Sequence, residues 1–283
     1  MAASEFQIRA DIVEVGRRLW AQGYVASNDG NISVRLSADR VMTTPKNVSK
    51  GFMTPDMMVV TDMTGGKVSG ERDASSELKM HLEVYRQRPD VGAVVHAHPA
   101  TATGFAVAGV PLNRAVLAEV ITTLGGIPIA AYATPSTEEL PAAIRDYIKS
   151  YDGLLLANHG ALAVAPDLFS AYYRMETIEH FAKISLVART LGRENLLSRN
   201  EVTRLQNLRG MYGISSPAPI CADQPAPATD CQVVDAPISP ERLVPDTPAL
   251  PPGPPPPLVT DREIRLTYGQ LTALIDEAVK SVR

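Results

Sequence analysis

The chain has 283 residues, of which 45% are hydrophobic and 20% are charged, and its formal net charge is −4. This length gives room for one sizeable hydrophobic core or two small ones, and the acidic balance argues against a nucleic-acid-binding surface. No apolar run approaches the roughly 20 residues that cross a bilayer, and the first residues lack the layout of a secretory signal. We therefore expect a cytoplasmic protein that binds neither nucleic acid nor membrane.

Strand and helix patterns alternate along the first 214 residues. They are, in chain order, a helix with Ile8, Ile12, Val15 and Leu19 on one face, a half-buried strand over 31–37, short strands in VMTTP and MMVVTDM, a helix over 75–88, buried strands over 91–99 and 153–160, and a long helix over 170–192. Ser136 to Glu139 offer a capping box for another helix. This alternation predicts a layered α/β domain over residues 1–214.

Proline marks a change of composition further along the chain. Of the 23 prolines, 14 fall within residues 217–257, where they cannot join helix or central-strand hydrogen bonding. We predict that residues 215–258 form an extended linker, in which Cys221 and Cys231 are incidental. Residues 259–283 contain a capping box and an apolar stripe, which predict one amphipathic helix that needs a partner for its apolar face.

Three histidines lie at the ends of predicted buried strands. His96 and His98 end one strand, on one face because side chains alternate, and His159 ends another. Three imidazoles that converge from neighbouring strand ends predict a catalytic zinc site with an open fourth position. A hydrogen-bonded core histidine is the alternative for each of them, and we assign His81 and His180 to structural positions.

Two polar segments are able to bind a ligand. Ser75, Ser76 and Glu77 open a predicted helix, where hydroxyls, free backbone N–H groups and the helix dipole favour negative charge. The turn SNDGNIS can present Asn28 and Asn31 to a ligand. Taken alone, the first segment fits a simple helix cap and the second a simple turn.

Five segments in this order, SNDGNIS, TTPKN, SSE, VVHAHP and ANHG, resemble the class II aldolase/adducin family, and within it the fuculose-phosphate and rhamnulose-phosphate aldolases. The resemblance covers roughly residues 5–214. It implies a three-layer α/β/α sandwich around a largely antiparallel central sheet. It also implies a homotetramer with sites at the subunit interfaces.

The resemblance also implies roles for individual residues. His96, His98 and His159 match the ligands of Zn²⁺, Glu77 matches the general acid/base, and Tyr212 matches a C-terminal tyrosine that handles the aldehyde-oxygen proton. The positions that match or neighbour the phosphate cradle are Asn28, Asn31, Asn47, Ser75 and Ser76. The implied reaction cleaves L-fuculose or L-rhamnulose 1-phosphate to dihydroxyacetone phosphate and lactaldehyde, as in fucose or rhamnose degradation.

Two departures from the family pattern concern the substrate. Lys46 and Asn47 stand where these aldolases usually have Thr-Gly or Ser-Gly, and Glu119 stands near an aromatic position that lines the aldehyde pocket. Lys46 favours an anion such as a carboxylate, which keeps open a metal-dependent decarboxylase of a sugar acid or hydroxylated aromatic acid. A ribulose-phosphate 4-epimerase is a further alternative, although the family epimerases carry aspartate at the position of Glu77. The last alternative function is that of a non-enzymatic, adducin-like binding head.

The linker and terminal helix are not part of the aldolase pattern. They resemble the encapsulation peptides that carry enzymes into bacterial microcompartments. This implies that residues 259–283 dock on a shell protein or another cargo enzyme, and that the protein resides in the microcompartment lumen. A tail helix that packs on its own tetramer is the alternative.

Overall fold

The computed structural model describes residues 4–214 and 216–220. The predicted terminal helix, and all of the predicted linker except 216–220, lie outside the described residues. Among the helices that are described, none combines the length and the apolar character needed to cross a membrane.

Eight strands of the described chain form one sheet in the order β4-β3-β2-β1-β5-β8-β7-β6. Only β6 and β7 run parallel to each other, and the other neighbours are antiparallel, which confirms the predicted largely antiparallel sheet. The strands are β1 Asn31–Arg35, β2 Arg40–Thr43, β3 Val59–Asp62, β4 Lys67–Ser69, β5 Ala93–Ala97, β6 Ile129–Ala130, β7 Gly153–Leu156 and β8 Gly160–Ala165.

Helices cover both faces of this sheet. The α-helices are α1 Glu5–Ala21, α2 Leu78–Gln87, α3 Ala100–Val107, α4 Ala118–Thr123, α5 Glu139–Ile148, α6 Leu168–Thr190 and α7 Arg199–Leu208, and the 3₁₀ turns are Lys50–Phe52, Pro55–Met57 and Arg209–Tyr212. Strand side chains alternate between two cores. Val95 packs in the core that includes α1, α3 and α6, whereas Val94 packs in the core that includes α2 and α5. The predicted three-layer α/β/α sandwich is confirmed.

Two local predictions differ from the structure. Residues 153–160 were predicted as one strand, but they form β7 and the turn of a hairpin whose second strand, β8, the sequence pattern missed. The predicted capping box is also wrong. Ser136 lies in the left-handed region at φ 66°, α5 begins at Glu139, and the Glu139 carboxylate instead accepts from the Thr134 amide at 2.9 Å.

The packed part of the chain extends past residue 214. Ser216 is buried, its Oγ donates to the Asp152 carboxylate at 2.5 Å, and the Ala218 amide donates to the Ser150 carbonyl at 2.7 Å. A Cβ on Gly125 would lie 2.1 Å from the Ala218 carbonyl oxygen, so this close approach requires glycine. The described part of the predicted linker is therefore bound to the domain.

Candidate active site

The sheet brings the three histidines together at the ends of its central strands. His96 lies in β5, His98 follows β5 directly, and His159 lies in the β7–β8 turn. Because β8 lies between β5 and β7 and runs antiparallel to both, the β7–β8 turn meets the end of β5. The three ring centroids are 4.8 to 5.0 Å apart, and the candidate ligand nitrogens all lie within 4.8 Å of one another.

Hydrogen bonds and close packing orient these imidazoles. His96 Nδ1 donates to the Ala161 carbonyl at 2.9 Å, which leaves the Nε2 lone pair directed toward His98 Nε2 at 3.1 Å. Gly160 allows the packing, because a Cβ there would lie 2.5 Å from the His98 ring. Converging imidazole nitrogens, one fixed by a backbone acceptor, fit a first-row divalent metal ion with an open coordination position.

Glu77 lies beside the histidines, immediately before the first residue of α2. Its Oε1 is 3.1 Å from His159 Nε2, and its Oε2 is 3.4 Å from His96 Nε2. Burial by itself raises the pKa of this carboxyl, but the two imidazoles outweigh burial and hold its pKa well below the usual range. Asn31 Nδ2 donates to Oε2 at 2.8 Å and fixes the carboxylate in place.

A polar seam joins α2 to β1 behind Glu77. The seam has two sides. Its β1 side consists of alternate residues of the strand, Asn31, Ser33 and Arg35, and its helical side consists of residues four apart, Glu77, His81 and Tyr85. Ser33 Oγ lies 2.7 Å from His81 Nδ1 and 2.8 Å from the Tyr85 hydroxyl, and the Arg35 guanidinium donates to the Tyr85 carbonyl at 2.7 Å. Since Asn31 is also the cross-strand partner of His96, the seam sets where Glu77 lies relative to the histidines.

A cavity of about 240 Å³ opens in front of this cluster. The sequence-predicted residues that line it are Asn28, Asn31, Lys46, Asn47, Ser75, Ser76, Glu77, His98 and His159. The Glu77 amide donates to Ser75 Oγ at 3.3 Å. Asn47 takes φ 58°, in the left-handed region that glycine favours and asparagine tolerates, so a glycine at this position would fit the same backbone conformation.

Three predicted residues do not line this cavity in the described chain: His96, which is fully buried within the histidine cluster, Glu119 and Tyr212. Glu119 lies in a separate groove between α4 and α6, together with Tyr173 and His180. Tyr212 ends the last 3₁₀ turn with 67% of its surface exposed. One chain therefore brings the histidines, Glu77 and the polar loops together, but neither Glu119 nor Tyr212.

Six residues that line the cavity were not predicted as site residues, namely Asp29, Gly30, Pro45, Lys50, Pro135 and Ser136, and Lys50 is the buried cation among them. Lys50 lines the cavity and is only 2% exposed, whereas Lys46, the predicted lysine, is exposed. Lysines are almost never fully buried unless paired, and nothing in the local sequence distinguishes Lys50 from a surface lysine. The one available signal is its proximity to the polar segment TTPKN.

Comparisons with known proteins identify the family and the fold. Residues 10–186 match the family described as "Class II Aldolase and Adducin N-terminal domain". A 5-deoxy-D-ribulose 1-phosphate aldolase from Bacillus thuringiensis serovar kurstaki is 31% identical over 207 residues, which are 72% of this chain and 96% of that protein. A 3-oxo-tetronate 4-phosphate decarboxylase from Pectobacterium atrosepticum is 28% identical over 189 residues, 65% of this chain and 86% of that protein. The solved structure of an L-fuculose 1-phosphate aldolase superposes with a TM-score of 0.68 at 31% identity, covering 76% of this chain and 99% of that one.

Proposed function

The chain belongs to the class II aldolase and adducin family, and from this premise we propose that it is a metal-dependent aldolase that cleaves a deoxyketose 1-phosphate to dihydroxyacetone phosphate and an aldehyde. L-Fuculose and L-rhamnulose 1-phosphate, which yield lactaldehyde, are the first substrates to test. The names of the similar proteins add 5-deoxyribulose 1-phosphate to the same substrate class. One observation carries the proposal. Glu77, held by Asn31 at 2.8 Å, lies between converging imidazoles and a polar cavity that Ser75 and Ser76 line.

His96, His98 and His159 would hold the metal ion, which we propose to be zinc. When bound, such an ion supplies Lewis-acid stabilisation of the negative charge that develops on the substrate oxygens. The protein contributes the orientation of the ligands, through the His96 hydrogen bond to Ala161.

The cavity residues bind the phosphate and move one proton. Ser75, Ser76 and Asn47 offer neutral hydrogen-bond donors to the phosphate. As the bond between C3 and C4 breaks, its electron pair passes to the ketose fragment and the C4 hydroxyl loses its proton. A proton must then return to C3, and Glu77 is the carboxyl placed to deliver it. Glu77 would take this proton from solvent, and the proton lost by the C4 hydroxyl would return to solvent, so that the two balance over one turnover.

We propose that Tyr212 and Glu119 reach the site from another copy of the chain in a homotetramer. Tyr212 would take the proton of the C4 hydroxyl, and Glu119 would line the aldehyde end. Their positions support this, since both lie outside the cavity of their own chain and Tyr212 is largely exposed.

The assay that tests the proposal measures dihydroxyacetone phosphate release from the three ketose phosphates by the metal-analysed protein. We expect cleavage that requires bound metal and falls at least about a hundredfold in Glu77→Gln, with Glu5→Gln at the exposed start of α1 as an active control. Cleavage that persists after metal removal, or that is equal in Glu77→Gln, would contradict the assignment.

A decarboxylase acting on a phosphorylated 3-oxo acid is the second candidate, and Lys46 favours it. This exposed lysine lines the cavity and offers a cation that a substrate carboxylate can use. Carbon dioxide release from 3-oxo-tetronate 4-phosphate, without cleavage of any ketose 1-phosphate, would select it. An epimerase would interconvert pentulose phosphates with no triose product, and a metal-free inert protein would indicate a binding head.

We further propose that residues 259–283 target the protein to the lumen of a bacterial microcompartment, by docking on a shell or cargo protein. The proposal rests on the proline-rich composition before an amphipathic pattern. The shell would retain the reactive aldehyde product of the proposed reaction. A fluorescent protein fused to residues 258–283 should form foci in cells that make the shell, and diffuse fluorescence there would refute the proposal.

A further inference from the structure

Lys50 is a buried cation in the wall of the cavity. Only 2% of it is exposed, although it stands at the start of a short 3₁₀ turn in a polar segment. Burying an ammonium group is costly unless hydrogen bonds or opposite charge compensate. Burial of the Lys50 ammonium group therefore requires compensating hydrogen bonds or negative charges nearby.

Its two hydrogen bonds tie together the loops that frame the cavity. Lys50 Nζ donates to the Asn28 carbonyl at 3.0 Å and to the Val48 carbonyl at 2.7 Å. Asn28 belongs to the loop before β1, and Val48 follows Asn47 in the loop after β2. An ammonium has three protons, and these two bonds leave one without a protein acceptor among the described residues.

We propose that Lys50 donates this third proton to the phosphate group of the substrate, and that its two other bonds hold both loops around that group. The inference deepens the proposed function, on which its choice of a phosphate ligand rests. Burial lowers the pKa of Lys50 to about 8, while the charges of Asp29 and Glu77 act in the opposite direction, so the group is largely protonated at neutral pH. A dianionic phosphate would complete the neutralisation of a buried cation.

The test compares inorganic phosphate binding to metal-loaded full-length protein, by isothermal titration calorimetry, in Lys50→Met and Lys149→Met. Loss of a charge-assisted hydrogen bond should weaken phosphate binding by Lys50→Met at least about tenfold, whereas Lys149→Met, which changes an exposed lysine at the end of α5 and outside the cavity lining, should stay within about twofold. With a ketose phosphate, Lys50→Met should raise KM more than it lowers kcat. Equal phosphate affinity in Lys50→Met and the wild type would overturn the proposal.

A wild-type measurement keeps the inference testable if Lys50→Met loses its metal or its fold. Sulfate keeps its charge between pH 7 and 9.5, and its affinity should fall at least about fivefold over that interval as Lys50 loses its proton. An affinity that stays within about twofold would overturn the proposal. If phosphate binding depends on Lys50 but no ketose phosphate is cleaved, the aldolase assignment fails while the anion site stands.

Discussion

The buried His81 of the polar seam should make the free energy of unfolding depend on pH. It is 1% exposed, its Nδ1 lies 2.7 Å from Ser33 Oγ, and its Nε2 has no hydrogen-bond partner among residues 4–214 and 216–220. Burial, with a smaller electrostatic contribution from the neighbouring His96, lowers the pKa of His81 from 6.5 to about 3. The folded protein therefore keeps this imidazole neutral where the unfolded chain protonates it.

The sign of the effect follows from the lowered pKa. Stability from a neutral His81 is fully present above the unfolded pKa of 6.5 and is lost as pH falls toward the folded pKa of about 3. Between pH 7 and pH 4.5, linkage predicts a loss of about 2.5 kcal/mol from this group. In His81→Gln, the amide can still reach Ser33 but cannot titrate, so that part of the pH dependence should disappear.

The assay is urea unfolding followed by circular dichroism, at fixed protein concentration and with a chelator in every sample. The chelator prevents pH-dependent metal loss from contributing. Only the difference between the wild-type and His81→Gln pH slopes is used, because a constant loss of stability in the variant then cancels. Parallel slopes for the two proteins from pH 7 to pH 4.5 would refute a buried neutral His81.

Three further changes test the site. His159→Ala should abolish stoichiometric metal binding measured by atomic absorption, because it removes one imidazole of the cluster, whereas His81→Gln should retain it. Asn31→Ala should lower kcat roughly tenfold to a hundredfold at similar melting temperature, since the 2.8 Å bond to Glu77 is lost; an unchanged kcat would contradict this role. Gly30→Ala should destabilise the fold by about 1 to 3 kcal/mol more than Gly23→Ala, because both have φ 70° but only at Gly30 would the new Cβ lie 2.7 Å from the His96 carbonyl oxygen. Equal melting temperatures would refute that steric explanation.

Sequence periodicity predicted the parts of the site that depend on single elements. The His96 and His98 pair at a strand end needs only the alternation of side chains along β5. Where β7 and β8 meet, the short apolar run GALAVA carries no polar alternation, so nothing local marked it as a second strand. His159 nevertheless lies beside β5 only because β8 is placed between β5 and β7 in the sheet.

The polar seam shows why the remaining geometry could not be predicted locally. Spacing by two along β1 and by four along α2 is present in the sequence, but nothing local says that these two faces meet. That contact depends on β1 pairing with β5, about 60 residues further along the chain, and on α2 covering the same face. Lys50 was missed for a related reason, because its burial comes from packing by other segments and not from its neighbours in sequence.

The candidate site combines residues on strand ends and a helix start with residues on loops. This difference concerns which part of the site selects the substrate. The histidines and Glu77 stand on strand ends and a helix start, braced by the polar seam. By contrast, Asn28, Lys46 and Asn47 stand on loops, which accept sequence change more readily than the elements they connect. Both aldolases and a decarboxylase are named among the similar proteins, and we propose that in this chain the loops select the substrate while the histidine cluster holds the metal ion. Exchanging Lys46-Asn47 for Thr-Gly should then change which phosphorylated substrate is used while leaving metal content unchanged, and a loss of metal would show that these loops support the centre as well as select the substrate.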